Sequence, residues 1–280
     1  NVPDGLFTEN PLTITMDSDK SLTAVFECQE GDCWLRDTET EVVDVVNPVT
    51  GATWMDRNLG ANQVATSSMD SEAYGDLYQW GRVLDGHEKR NSDTRSTLSF
   101  IDQPGHGDFI TTSYSPYDWR IMRNNKLWQG EKGINNPCPM GYRIPTELEW
   151  IEEYQSWASS NSAGAYGSPL KLPVAGGRFR GDGSLNDVGS HGRYWSSSVG
   201  SVNSTNLFFD DNEVSITSNP RLYGFSVRCR KDGFILQIGI SGNGMVDQLG
   251  GTYEPGSTVS LMASPDEGWV FSQWEGDIPD

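Results

Sequence analysis

Three kinds of residue in this sequence could do chemistry: four cysteines, three histidines and one dense run of acids. The cysteines are Cys28, Cys33, Cys138 and Cys229. An even number fits two disulfides and an oxidising compartment. A Cys28–Cys33 bond would close a tight loop, and a Cys138–Cys229 bond would tie a central turn to a late segment. Zinc is the competing use, but C-x4-C is unusual ligand spacing and no histidine lies near it. His87, His106 and His191 each adjoin a glycine. A lone histidine in such a loop is more often a solvated or turn residue than a catalytic one, which needs a positioned partner. Asp210-Asp211-Asn212-Glu213 is the densest set of oxygen ligands, and Asp210, Asp211 and Glu213 are the candidates to hold calcium. Alternate side chains point apart in a strand, so they could converge only in a loop. A solvated acidic turn is the simpler reading, because no EF-hand pattern accompanies them. Asp17 and Asp19 lack a third ligand. There is no H-E-x-x-H, G-x-S-x-G, P-loop or dinucleotide fingerprint. The expectation is a protein that is not an enzyme and carries no cofactor, with calcium the one ion to consider.

The elements that must position these residues are bounded by composition. A chain of 280 residues suits one large domain plus a smaller one. Hydrophobic residues make up 35% and aromatics 11%, with 31 Gly and 14 Pro, which points to an aromatic core, short strands and long loops. Lys and Arg total 20 against 39 Asp and Glu, a net charge of −19. That balance disfavours nucleic acid and anionic membrane surfaces. No stretch approaches the ~18 apolar residues of a membrane span. No leader is visible, so any signal peptide is expected outside this chain.

The central stretch is Asn135 to Trp157. Tyr142-Arg143-Ile144 reads as a short strand, ended by Pro145, since the residue before proline is pushed to extended geometry. Thr146 and Glu149 form a T-x-x-E capping box. Trp150, Ile151, Tyr154, Trp157 and Ala158 then recur on one face, predicting a core helix. Upstream, Glu41–Val49, Thr53–Met55 and Leu77–Val83 are expected strands, and Asp85–Tyr117 is loop-rich, with Trp119 and Trp128 as its anchors. Long loops on a scaffold are where binding usually resides. Downstream, Asn161–Gly167 reads as a break. Strands are expected at Leu170–Ala175, Gly177–Arg180, Tyr194–Ser198, Leu207–Phe209, Glu213–Ile216 and Gly224–Arg230. Helix in the middle and short strands after it predict an α+β domain with mainly antiparallel sheet. Beyond it, Phe234–Ile240, Met245–Leu249, Thr258–Ala263 and Trp269–Trp274 read as four more strands. At the other end, Leu12, Ile14 and Met16 alternate, Asp17–Lys20 turns, and Leu22, Ala24 and Phe26 alternate again, a hairpin that needs a partner to be stable.

The pieces NNPCPMGYRIPTELEW (Asn135–Trp150), TGATWMDRNLGA (Thr50–Ala61), YGDLYQWGR (Tyr74–Arg82), RYWSSS (Arg193–Ser198) and GFSVRC (Gly224–Cys229) stand in one order over residues 42 to 232. They resemble the Fibrobacter-type major paralogous domain, an extracellular family similar in pattern to C-type-lectin-like folds. The formylglycine-generating enzymes share such a fold, but that chemistry needs reactive cysteines, and all four here are more simply used as disulfides. The Glu-Pro-Asn and Gln-Pro-Asp triplets of calcium-dependent lectins are absent; Gln103-Pro104-Gly105 lacks the third ligand. Residues 233–280 resemble the first part of a divergent internalin-B-type (Listeria-Bacteroides) repeat, and Asn10–Phe26 resembles the last part of the same repeat.

The expected organisation is therefore residues 1–27 as the back half of a β repeat module, 28–41 as a disulfide-stapled linker, 42–232 as a C-type-lectin-like domain, and 233–280 as the front half of the module. Asn1-Val2-Pro3-Asp4 and Asp277-Ile278-Pro279-Asp280 share a pattern, which reads as one repeat cut in a loop. Each half would expose strand edges. Either the ends of one chain meet, or a second unit completes the module head-to-tail, which builds a filament of separate chains or a tandem array of successive repeats in one longer polypeptide. The expected interface joins Leu12, Ile14, Met16, Leu22, Ala24 and Phe26 to Leu236, Ile238, Val259, Leu261, Phe271 and Trp274. The function expected is that of an extracellular or cell-surface bacterial structural and adhesive protein whose partners are copies of itself. The alternative is an adhesin domain binding a glycan or protein through its long loops, with the β module as a spacer. Neither nucleic acid nor membrane insertion is expected.

Overall fold

The computed structural model describes residues 40–130, 132–237, 239–247, 250–253 and 260–274. All belong to one compact unit, Arg36–Asp280. The expected N-terminal hairpin, Cys28 and Cys33 lie outside the described residues.

The first part of the chain holds β1 (Asp44–Val46), β2 (Thr53–Met55), β3 (Tyr78–Gln79), β4 (Thr94–Arg95), β5 (Phe109–Ile110) and β6 (Tyr142–Arg143). Helices α1 (Glu147–Gln155) and α2 (Ser162–Gly167) follow, then β7 (Gly177–Arg178), β8 (Leu185–Asn186), β9 (Gly192–Val199), β10 (Ser204–Phe209), β11 (Val214–Asn219), β12 (Gly224–Phe225) and β13 (Arg230–Lys231). They form sheets ordered β1-β2-β13-β6, β3-β12-β7-β8 and β11-β10-β9, all antiparallel. The pair β4–β5 is parallel. The architecture is β-rich and mostly antiparallel, with little helix.

Strands of two or three residues satisfy few backbone groups, so the core must supply the rest. Six tryptophans (54, 80, 119, 128, 150 and 195) are fully buried. Five of them donate their indole N–H to a backbone carbonyl: Trp80 to Ser196, Trp119 to Trp80, Trp128 to Arg82, Trp150 to Trp195 and Trp195 to Tyr78. Each indole thus fills volume and pins irregular chain at once. The loop-anchoring role expected of Trp119 and Trp128 is what the structure shows.

The capping box at Thr146 is complete: its hydroxyl accepts from Glu149 N–H, and Glu149 reaches back to the Thr146 N–H. Helix α1 ends sooner than its apolar pattern suggests. Ala158 is exposed, Trp157 lies past the last turn, and Glu153 is buried instead, accepting from Asn47 and the Trp157 indole. Two expectations fail locally. Asn161–Gly167 is not a break but α2, capped by the Asn161 side chain. Leu170–Ala175 is buried but forms no strand, because side chains take its carbonyls: Arg228 at Leu170, Tyr194 at Pro173 and Arg90 at Ala175. Cys138 and Cys229 are joined, with Cα atoms 5.8 Å apart and a sequence separation of 91.

After β13 come β14 (Phe234–Gln237), β15 (Gly244–Val246), β16 (Gly250–Tyr253) and β17 (Ala263–Pro265). They pair β14 with β16 and β15 with β17, both antiparallel. The four strands expected here are partly displaced, and Trp269–Trp274 is in no strand. Among the described residues no helix is long and apolar enough to cross a membrane.

Candidate functional site

The C-terminal module is built the opposite way from the core before it. Its β15–β17 pair is extended by Asp247, whose N–H donates to the Met262 carbonyl and whose carboxylate accepts from the Met262 N–H. A turn follows in which Asp266 N–H reaches Asn243 and Trp269 N–H reaches Asp266. Gly242 has φ +98° and lies so close to the Trp269 ring that a Cβ there would stand 3.2 Å from it. The β15–β17 pair and residues 269–274 together line a groove of about 610 Å³. Ile240, Met245, Val246, Trp269, Phe271 and Trp274 are among its lining residues, and the Phe271 and Trp274 rings sit 5.5 Å apart. Trp269 is 51% exposed and Phe271 48%, whereas the six core tryptophans are at 1% or less. Exposed rings gathered along one groove are the kind of patch that marks an interaction surface.

Of the expected interface residues, Phe271 and Trp274 line this groove, and Leu261 is half-buried just before β17. Leu236 lies in β14 opposite Gly251. Ile238, Val259 and the six N-terminal residues from Leu12 to Phe26 lie outside the described residues. The sequence reading did not single out Ile240, Met245 and Trp269 as interface residues. Their glycine-flanked positions hide any strand alternation.

The expected calcium ligands do not converge. The Asp210 carboxylate accepts the N–H groups of Asn212 and Glu213, which hold it below the usual carboxylate range, while Asp211 accepts from the Ser162 hydroxyl. This is a hydrogen-bonded turn between β10 and β11. The one group of metal-ligating type among the described residues is Asp85, His87 and Glu88, whose ligand atoms lie within 4.8 Å of one another. Contiguous Asp-Gly-His-Glu was the sequence signal for it. His87 is fully buried, which corrects its reading as a solvated turn residue. Its Nε2 accepts from Gln79 N–H at 3.0 Å, so Nδ1 faces Asp85 at 2.6 Å. Burial and the Arg82 charge push its pKa down. Burial also opposes the Asp85 charge, but His87 and Arg82 hold that carboxyl at about 2. Each partner is already spent on fastening the loop, a structural use. His106 and His191 are half-buried and pair with loop neighbours, His106 accepting from the Asp108 N–H.

Residues 236–279 match the family of the divergent InlB B-repeat domain. That identifies the groove-bearing segment as a repeat module of this type and points to a surface-associated bacterial protein. No curated protein and no solved structure matches the chain.

Proposed function

We propose that this is an extracellular structural and adhesive protein that assembles head-to-tail, the groove of one copy receiving residues 1–27 of the next. The observation that carries the reading is the groove bearing the half-exposed Trp269, Phe271 and Trp274 rings, in a module whose family match begins at residue 236. The occupant is chosen by pattern. Asn10–Phe26 resembles the last part of that repeat, and its two alternating apolar triplets are the sequence pattern of a hairpin that adds to an exposed sheet. Burying a Phe or Met side chain contributes about 1.5–3 kcal/mol towards ordering such a segment. Residues 42–232 act as a rigid C-type-lectin-like spacer and adhesive body with no catalytic role. In support, the buried ionisable groups His87, Asp85 and Glu153 are each committed to structural hydrogen bonds.

The test is light scattering with negative-stain microscopy on the full chain, on the chain lacking residues 1–26, and on Phe271→Asp. Polymers from the full chain and monomers from both variants support strand exchange. Monomers from all three sink it and leave a self-closed unit.

A further inference from the structure

The sheet β11-β10-β9 is closed along one edge and open along the other. On the β9 side, Trp195 N–H donates to Ser226, Ser226 N–H to Arg193 and Ser197 N–H to Pro145. On the other side β11 pairs with β10 alone, in an unbroken register from Ser204↔Asn219 to Phe209↔Val214. The phase of that ladder is set at its turn, where Asp210 N–H donates to the Glu213 carbonyl. Bonded pairs alternate in an antiparallel ladder, so Ser215, Thr217 and Asn219 bond to β10. Val214, Ile216 and Ser218 then turn their N–H and C=O groups outwards. None of those outward groups meets a protein partner among the described residues. In the two four-stranded sheets the edge strands β1, β3, β6 and β8 are two or three residues long, whereas β11 has six.

An open edge of this length is ordinarily protected by a lysine, a proline or a bulge. β11 reads Val-Ser-Ile-Thr-Ser-Asn, with no charge, no proline and no bulge against β10, in a chain of net charge −19. The strand is firmly seated. Val214 and Ile216 pack on the core cluster around Trp150 and Phe209, and the Thr217 hydroxyl and the Asn219 amide both donate to the Asn206 side chain. Charge is sorted along its length. At its start lies the exposed acidic turn Asp211–Glu213. Just past its end, Arg221 donates to the Asn125 side chain at 2.6 Å, beside the exposed Lys126.

We propose that β11 is a self-docking edge, on which a second copy of this chain lays its own β11 antiparallel across a two-fold axis. One register satisfies every outward group. Ile216 stands opposite Ile216 of the second copy, and Val214 opposite Ser218 in both directions; each pair exchanges both N–H···O bonds. The intervening pairs set Ser215 against Thr217, a favourable contact, and Glu213 against Asn219, so no acid opposes an acid. The acidic turn of each copy then lies towards the Arg221 and Lys126 end of the other. That complementarity is what selects a copy of this chain as the occupant. The contact is isologous and lateral, separate from the head-to-tail contact of the C-terminal module, and it would join strings of the chain side by side. A strand pair this short falls below the ~1,200 Å² of a stable interface. Single chains therefore stay apart at micromolar concentration, and pair when concentrated or when many edges are aligned in a row.

The test uses the full-length Phe271→Asp chain, a background free of head-to-tail growth whether or not the groove reading holds. Sedimentation equilibrium runs from about 10 µM to about 1 mM, with amide hydrogen exchange followed by NMR at both ends of that range. The expected result is monomer at the low end and mostly dimer at the high end. A dissociation constant of about 0.1 mM leaves about a fifth of the chains unpaired at 1 mM, so the Val214, Ile216 and Ser218 amides exchange about fivefold more slowly there. Ser215 and Thr217, bonded to β10, exchange alike at both concentrations. Ser218→Pro removes one outward N–H and no internal hydrogen bond, so it abolishes the dimer, whereas Ser218→Ala keeps that N–H and the dimer. Melting curves show whether the variants are folded, and the exchange pattern of the background chain decides alone if Ser218→Pro is not. Monomer throughout, a dimer whose outward amides exchange no more slowly, or a dimer indifferent to a folded Ser218→Pro overturns the proposal. So does protection of these amides that is independent of concentration, which would assign the edge to a segment of the same chain.

Discussion

Replacing Glu149 with glutamine removes one charge from the joint between α1 and the sheet. Arg143 on β6 and Arg230 on β13 stand directly opposite each other in the ladder, a like-charge pair that is unfavourable by itself. Glu149 resolves it. Its carboxylate accepts two hydrogen bonds from Arg143, at 2.7 and 2.8 Å, a third from Arg230, and the Thr146 N–H at 2.7 Å. Desolvation opposes the charge, but the Arg143 hydrogen bonds and the two guanidinium charges lower the Glu149 pKa from 4.5 to about 2. The side chain is 15% exposed, so solvent screening is modest. That shift corresponds to about 3 kcal/mol of folding free energy. Because the folded pKa is the lower one, the contribution is complete above the unfolded value and is lost as pH falls from 4.5 towards 2. Glu149→Gln should therefore destabilise the protein by about 3 kcal/mol at pH 7 in urea unfolding followed by tryptophan fluorescence. At pH 2.5 the gap should shrink to under about 1 kcal/mol. A loss below about 1 kcal/mol at pH 7, or a gap that does not narrow in acid, refutes the reasoning.

The Cys138–Cys229 bond closes a loop spanning 91 residues, so Cys138→Ser with Cys229→Ser should lower stability by about 4–5 kcal/mol, read as a drop in urea midpoint. Gly164→Ala tests packing against propensity. Alanine favours a helix by about 1 kcal/mol, but a Cβ at 164 would stand 1.8 Å from the Ser159 carbonyl oxygen, so the variant should lose stability by at least about 1–3 kcal/mol in the same assay.

What the sequence determined by itself is local or compositional. The Thr146/Glu149 box, the short strands of an aromatic-rich chain and the repeat at its C-terminal end were legible because each is written in adjacent residues or in a spaced pattern. What tertiary structure alone decided is where side chains replace backbone partners. Leu170–Ala175 reads as a strand, yet Arg228, Tyr194 and Arg90 take its carbonyls from 21 to 85 residues away, and no pattern within the segment encodes that. The same holds for His87. Its glycine neighbour suggested an exposed turn, and only the fold shows Gln79 and Asp85 closing on its two nitrogens. Aromatic side chains divide along the same line. Phe271 and Trp274 of the groove follow from a spaced apolar pattern, while Tyr117 meets Arg180 across 63 residues through a backbone conformation that tyrosine seldom takes. Local energies can be read along a chain; a contact between distant residues exists only once the loops between them have closed.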